Sequence, residues 1–210
     1  VHLPGPSFVN IGNFDGLHRG HQTLLRQVVQ VAQQAFVTGT IQTAPQSVLI
    51  TFDPHPLTVL RPDIPLLLLT TPQERLDLAA QLGIDYGIVQ CFTPEIAQLA
   101  ARDFIQLLKT HLGLAGLVVG PDFALGHGRK GDLDTLRELG KEFDYREYVI
   151  DPVVQTAQPV RSRVIRQAIQ AGDTTTATDL LGRFYSVTGE VITGDQRGRQ
   201  IGIPTANLQT

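Results

Sequence analysis

Residues 7–25, SFVNIGNFDGLHRGHQTLL, combine three patterns that together predict the fold class. The first few residues are mainly apolar, as a buried strand requires, and residues 12–21 hold three glycines, an aspartate and two histidines. Apolar residues then recur at helical spacing over residues 20–36, which predicts an amphipathic helix. A strand, a glycine-rich turn and a helix in this order form the repeating unit of a parallel α/β sheet.

The same alternation continues along the chain. Short runs rich in valine and isoleucine predict five strands buried on both faces, at residues 7–12, 47–52, 85–92, 114–120 and 146–151. Helical patterns lie between them, at residues 20–36, 71–83, 101–113 and 131–143. This order predicts an α/β fold in which helices flank a parallel sheet through right-handed crossovers.

Composition narrows the class of protein. The chain is 42% hydrophobic and 18% charged with a formal net charge of −3, so a nucleic-acid partner is not favoured. No apolar stretch approaches the ~18 residues of a membrane helix, and no secretory signal precedes the first strand, so we expect a cytoplasmic protein. The single cysteine, Cys91, excludes an internal disulfide, and its apolar neighbours predict a small core residue.

Four unusual loops follow strands of the predicted sheet, at residues 12–21, 53–56, 120–131 and 159–166. Because ligands of parallel sheets bind beyond the carboxyl ends of the strands, we expect these loops to form one site. In the first loop, His18 and His21 share one face of a helix start, where free backbone N–H groups favour phosphate. Two surface histidines or a zinc pair are the alternatives, and no third zinc ligand stands at a suitable spacing.

The other loops carry weaker signals. Asp53 in TFDPHP suits a magnesium ion or a substrate hydrogen bond, or an Asx-Pro turn without chemistry. GHGRKG at residues 126–131 matches G-x-G-x-x-G but does not directly follow a strand, so we interpret it as a basic loop near the site. Arg161, Arg163 and Arg166 crowd a helix start. A bound anion would relieve their conflict with the helix dipole, and a solvated basic helix is the alternative.

After about residue 180 the pattern changes. Polar and apolar residues alternate, glycines are frequent, and no helical period is visible, which predicts two or three β-strands with turns. Thirty such residues are too few for a closed barrel. We therefore predict one domain in residues 1–180 and the beginning of a β-rich domain in residues 181–210.

With these loops in view, the chain resembles the bacterial bifunctional riboflavin kinase/FAD synthetase family over nearly its whole length. GNFDGLHRGHQTLL is similar to the His-x-Gly-His signature of the nucleotidyltransferases in the form that this family uses. TFDPHP and VVGPDFALGHGRKGD resemble its second motif and flavin-side loop, and residues 182–208 resemble the start of its riboflavin kinase domain. The resemblance implies a Rossmann-like nucleotidyltransferase sheet followed by an incomplete β-barrel.

The resemblance implies transfer of AMP from ATP to FMN, giving FAD and pyrophosphate, with Mg²⁺ accompanying ATP and no protein nucleophile. A longer parent chain would also phosphorylate riboflavin. The implied catalytic residues are His18, His21, Asp53, Ser162 and Arg166. The implied nucleotide and flavin contacts are Gly12, Asn13, Phe14, Asp15, Gly20, Pro54, His55, Pro56, Asp122, Phe123, Gly126, Thr205 and Asn207. The implied metal contacts are Asp53, Thr205 and Asn207.

One motif departs from the family pattern. Arg161 and Arg163 stand where its last nucleotidyltransferase motif has a serine and a threonine. A flavin- or nucleotide-binding module with impaired catalysis is therefore the alternative function. From the His-x-Gly-His signature alone, pantetheine phosphate or nicotinamide mononucleotide remain possible acceptors in place of FMN, and the oligomeric state stays open.

Overall fold

A five-stranded parallel sheet forms the centre of the computed structural model, which describes residues 2–3, 5–151, 160–194, 197–200, 202–203 and 205–209. The strand order is β3-β2-β1-β4-β5, which is Rossmann-like. The strands are β1 (Ser7–Ile11), β2 (Gln46–Asp53), β3 (Tyr86–Cys91), β4 (Leu114–Val119) and β5 (Arg146–Val149). The predicted α/β fold and its parallel sheet are confirmed.

Helices cover both faces of this sheet. The α-helices of the described residues are α1 (Arg19–Val37), α2 (Pro56–Leu60), α3 (Pro72–Gln81), α4 (Pro94–Gln98), α5 (Ala101–Leu112), α6 (Leu133–Phe143), α7 (Ser162–Gln170), α8 (Thr174–Leu181) and α9 (Arg197–Gln200). Of these, α1 and α3 cover one face of the sheet, and α5 and α6 cover the other. Successive side chains of β1 enter different cores, because Phe8 packs with α1 and α3 whereas Val9 packs with α5 and α6. This alternation explains why the central strands are mainly apolar.

The two edge strands correct the expectation that every strand is buried on both faces. Tyr86 and Val89 of β3 and Val149 of β5 are exposed, because each edge strand has a neighbour on one side only and incomplete helix cover. Cys91 at the end of β3 is also exposed, so the prediction of a core cysteine was wrong.

Local sequence fixes where α3 begins. The Thr71 side chain accepts a hydrogen bond from the Glu74 amide, and the Glu74 carboxylate accepts one from the Thr71 amide. This capping box, with Pro72 in the first turn, sets the helix just beyond the carboxyl end of β2. The consequence is that Arg75, one residue further on, turns into the protein and is completely buried.

The C-terminal part contains a small core and a separate pair of strands. Helices α7 and α8 pack on Leu69 through Ile165 and Leu181. Strand β6 (Glu190–Ile192) pairs antiparallel with β7 (Asn207–Gln209), as the alternating pattern predicted. The sequence after about residue 180 shows no helical period, and the short helix α9 between these strands was therefore not predicted. Within the described residues, no helix is long and apolar enough to cross a membrane.

Candidate active site

The loop between β1 and α1 takes an unusual backbone path at the carboxyl edge of the sheet. Phe14, Gly16 and Leu17 all have positive φ angles, of 52°, 78° and 38°. A Cβ added at Gly16 would lie 2.6 Å from the Leu69 side chain, so only glycine fits this turn without displacement. The Gly16 amide donates to the Thr70 hydroxyl at 2.9 Å, which joins the loop to the segment before α3.

His18 and His21 lie together at the start of α1. His18 is the N-cap, its Nδ1 accepts from the His21 amide at 3.3 Å, and the two rings stack with centroids 3.6 Å apart. Burial lowers the pKa of His18 to about 4 and lowers the pKa of His21 well below its usual value. Both rings are therefore neutral at pH 7, and His18 presents an Nε2–H donor because its Nδ1 accepts.

Asp15 joins this loop to α7 from within the protein. One carboxylate oxygen accepts hydrogen bonds from the Leu69 and Thr70 amides at 2.8 and 3.2 Å. The other carboxylate oxygen accepts a hydrogen bond from Arg166 Nη2 at 2.6 Å. The Ser162 hydroxyl donates to the Asp15 carbonyl at 2.8 Å. Asp15 thus supplies part of the negative charge that the arginine-rich start of α7 requires.

The remaining arginines of that helix start face outward. Arg161 is the N-cap of α7 without a side-chain hydrogen bond to the helix, and Arg161 and Arg163 are both exposed. Pro159, which opens the predicted loop, lies outside the described residues.

The loop after β2 is adjacent to the histidine loop. The Thr51 hydroxyl donates to the Asn13 carbonyl at 2.9 Å, which links the two strand ends. Asp53 and Pro54 are exposed and are joined by a cis peptide bond. His55 is buried, caps α2 by accepting from the Leu57 amide at 3.1 Å, and has its pKa lowered by burial.

An apolar pocket of about 340 Å³ lies between the end of β2 and the loop after β4. Phe52, Phe92 and Leu125 are among its lining residues, together with Gly126 and Arg129. Of the residues implied on the flavin side, Gly126 lines this pocket, Phe123 is half-buried against the neighbouring core, and Asp122 is exposed. The loop contributes its backbone here through a short 3₁₀ turn at residues 127–129.

Thr205 and Asn207 belong to a different part of the molecule. Both line a smaller pocket of about 220 Å³ between β6, α9 and β7, and neither is among the residues that form the apolar pocket at the sheet edge. The proline of the same predicted motif, Pro204, lies outside the described residues. The structure therefore divides the predicted residues between two places.

Two arginines at the sheet-edge site were not singled out from the sequence. Arg75 donates through Nη1 to the carbonyls of Asn13 and Phe52 at 2.9 and 3.2 Å. Arg183 donates a hydrogen bond to the Gly16 carbonyl at 2.9 Å and thereby stabilises the loop between β1 and α1. An arginine in an amphipathic helix or after a helix end is by default solvent-exposed, so no local signal predicted either contact.

The geometry favours binding and orienting phosphates. A long helix with no acidic residue in its first turn directs its N-terminus at the loop, and two neutral histidines add donors beside it. No group of three His, Cys, Asp or Glu side chains suited to a metal ion occurs in the described part of the chain. The site is suited to positioning charged substrates.

Comparisons with known proteins show the family and the fold of this chain. The family model described as FAD synthetase matches residues 2–164, and the one described as riboflavin kinase matches residues 181–210. A solved structure described as a macrolide-efflux protein from Streptococcus pneumoniae superposes with a TM-score of 0.81 at 29% identity, covering 100% of this chain and 66% of that one.

Proteins named bifunctional riboflavin kinase/FMN adenylyltransferase are also similar. The one from Escherichia coli (strain K12) is 35% identical over 201 residues, covering 95% of this chain and 62% of the relative. The one from Listeria monocytogenes is 34% identical over 202 residues, covering 95% and 61%. The chain thus spans less than two thirds of the length of these relatives. Because the FAD synthetase model matches most of its residues, the chain belongs to the FAD synthetase family.

Proposed function

We propose that the chain transfers AMP from ATP to FMN, forming FAD and releasing pyrophosphate. The observation that carries this proposal is the pair of neutral, stacked histidines at the N-terminus of α1, together with an apolar pocket at the same sheet edge. The first feature suits a polyphosphate and the second suits a planar, apolar ring system. The names of the relatives supply the acceptor.

In this proposal the protein positions the reactants and supplies no nucleophile. An oxygen of the FMN phosphate attacks the α-phosphorus of ATP in line, the bond from that phosphorus to the bridging oxygen breaks, and pyrophosphate leaves with the bonding electrons. His18 and His21 donate to the phosphates, together with backbone N–H groups at the start of α1. Ser162 and Arg166 hold the loop in place through Asp15.

The residues present fit a magnesium ion that arrives with ATP. Mg²⁺ is commonly held by one or two carboxylates together with substrate phosphates, and Asp53 offers an exposed carboxylate at the end of β2. When bound, the ion would neutralise part of the phosphate charge. Asp53 would orient it, while His55 keeps the neighbouring α2 in place by capping its first turn.

A second activity, phosphorylation of riboflavin, is proposed for a protein that contains the whole second domain. The riboflavin kinase model matches residues 181–210, and Thr205 and Asn207 line one pocket there. These residues would contact the ATP phosphates and the metal of that reaction. We expect FMN formation to require the second domain and FAD formation to require the first.

The test is to incubate the chain with ATP, Mg²⁺ and one acceptor at a time, and to measure FAD and pyrophosphate together. FMN, riboflavin, nicotinamide mononucleotide and pantetheine phosphate serve as the acceptors. We expect equal amounts of FAD and pyrophosphate with FMN alone, and a loss of about 100-fold or more in His21→Ala. His111→Ala, which changes an exposed histidine on α5, is the control and retains activity.

Absence of FAD, with ATP and FMN still bound, would contradict the proposal and favour a binding module with impaired catalysis. Arg161→Ser together with Arg163→Thr then tests whether the departures at the start of α7 are the cause.

A further inference from the structure

Arg75 is a buried cation that joins the two strand ends of the proposed site. It is the largest side chain among the fully buried residues, with 0% exposure. Its Nη1 lies 2.8 Å from the Thr51 hydroxyl, 2.9 Å from the Asn13 carbonyl and 3.2 Å from the Phe52 carbonyl. These contacts fix the spacing between the histidine loop and the end of β2, where Asp53 is the last residue.

The charge of Arg75 is unusually poorly compensated. Among the described residues, no carboxylate forms an ion pair with it, and its Nη2 is buried without a hydrogen-bond partner. Buried charges are normally paired because removing an ion from water is costly. Burial lowers the pKa of Arg75, whereas the charges of Asp15 and Asp53 raise it, so both carboxylates lie within electrostatic reach.

The two carboxylates that face Arg75 do not account for it. Asp15 is already paired with Arg166 at 2.6 Å, and Asp53 is exposed to solvent. The histidines of the loop are neutral at pH 7 and add no charge. A polyphosphate at this edge would provide the negative charge that the buried guanidinium lacks within the described protein.

We propose that Arg75 is a positioning residue that holds the histidine loop against the end of β2 and supplies a buried positive charge to the phosphate subsite. The inference rests on the proposed function, since it presumes that the anion at this edge is the triphosphate of ATP. Arg75 acts on the phosphates through space and through the carbonyls of Asn13 and Phe52. It therefore favours a charged nucleotide over the corresponding nucleoside.

The experiment compares the dissociation constants of ATP and adenosine by calorimetry, for the wild-type chain and three variants. Arg75→Met removes the charge at similar volume, and Arg75→Lys keeps the charge with fewer donors. Arg146→Met is the matched control, because it changes net charge equally at the amino end of β5, away from the loops. FAD formation by the wild type is measured in parallel.

We expect Arg75→Met to weaken ATP binding by about tenfold or more while adenosine binding changes by about twofold or less. Arg75→Lys is expected to keep the ratio of the two affinities within about threefold of wild type, and the control to leave it unchanged. If Arg75→Met does not fold, the test rests on the ratio of the ATP and adenosine affinities in Arg75→Lys. Because this variant keeps the positive charge, a loss of its preference for ATP would overturn the charge role.

Three other results would overturn the inference: equal weakening of ATP and adenosine in Arg75→Met, no weakening of either, or a wild type without preference for ATP. Equal weakening of ATP and adenosine binding is the result expected of a residue that only supports the fold. Failure of the proposed function has a different signature, in which the wild type forms no FAD although its preference for ATP depends on Arg75.

Discussion

Acidification should lower the free energy of unfolding through His18, and the size of the decrease follows from the burial of this side chain. The pKa of His18 is 6.5 in an open environment and about 4 in the folded protein. Below about pH 6.5 the unfolded chain takes up a proton that the folded chain excludes, so the free energy of unfolding falls with falling pH. The contribution of neutral His18 to the free energy of unfolding is fully present above that pH and is lost as the pH approaches about 4.

The magnitude follows from the two pKa values. The loss attributable to His18 is about 1.4 kcal/mol at about pH 5.5 and about 3 kcal/mol at about pH 4, because one unit of pKa difference corresponds to about 1.36 kcal/mol. His21 adds to the effect in the same direction, since burial lowers its pKa as well. Because a folded domain is typically stable by only about 5–15 kcal/mol, this change is a large fraction of its stability.

The assay is urea unfolding of the wild type and of His18→Asn between about pH 7.5 and about pH 4. Asparagine is a favourable N-cap without a titrating group, so it retains the hydrogen bond from the His21 amide. We expect the stability difference between the two proteins to shift by about 3 kcal/mol across this range, in favour of the variant at low pH. A difference that stays constant with pH would refute the burial of a neutral His18.

Three substitutions test how the loop is held, each by urea unfolding. Asp15→Asn leaves Arg166 without its carboxylate partner and should lower the free energy of unfolding by about 3–5 kcal/mol. Gly16→Ala places a Cβ against Leu69 at a positive φ and should cost about 1–3 kcal/mol. Arg183→Ala removes donors to the loop carbonyls and should cost about 1.5–3 kcal/mol, with a parallel fall in FAD formation.

Asp63→Asn is the control for the charge change at Asp15. Its carboxylate pairs with Arg61 on the surface, where solvent screens the interaction, so the unfolding midpoint should stay unchanged. A loss as large as that of Asp15→Asn would mean that charge in general, and not the buried pair, determines the stability.

The fold was largely predictable because each element carries its own local signal. The Thr71-Pro72 start of α3, the glycine after α5 and the apolar runs of the strands each determine structure within a few residues. The predicted bounds differ from the observed ones by one or two residues, which is within the ambiguity of helix ends. The family resemblance, which rested on motifs, was confirmed by the comparisons.

The interior of the site was not predictable, because its contacts join distant parts of the chain. Asp15 meets Leu69 and Arg166 at sequence separations of 54 and 151 residues, and Arg75 meets Asn13 at a separation of 62. No periodicity or spacing indicates such pairs. At Cys91 a local pattern was misleading. Its apolar neighbours predicted burial, whereas its position on an edge strand exposes it.

Labelled phosphorus distinguishes transfer of the adenylyl group of ATP from transfer of its terminal phosphate. The chain is incubated with FMN, Mg²⁺ and ATP labelled at the α- or the γ-phosphorus, and the products are separated. We expect the α-label in FAD and the γ-label in pyrophosphate. Label from the γ-phosphorus in a flavin product, or α-label found only in ATP, would contradict it.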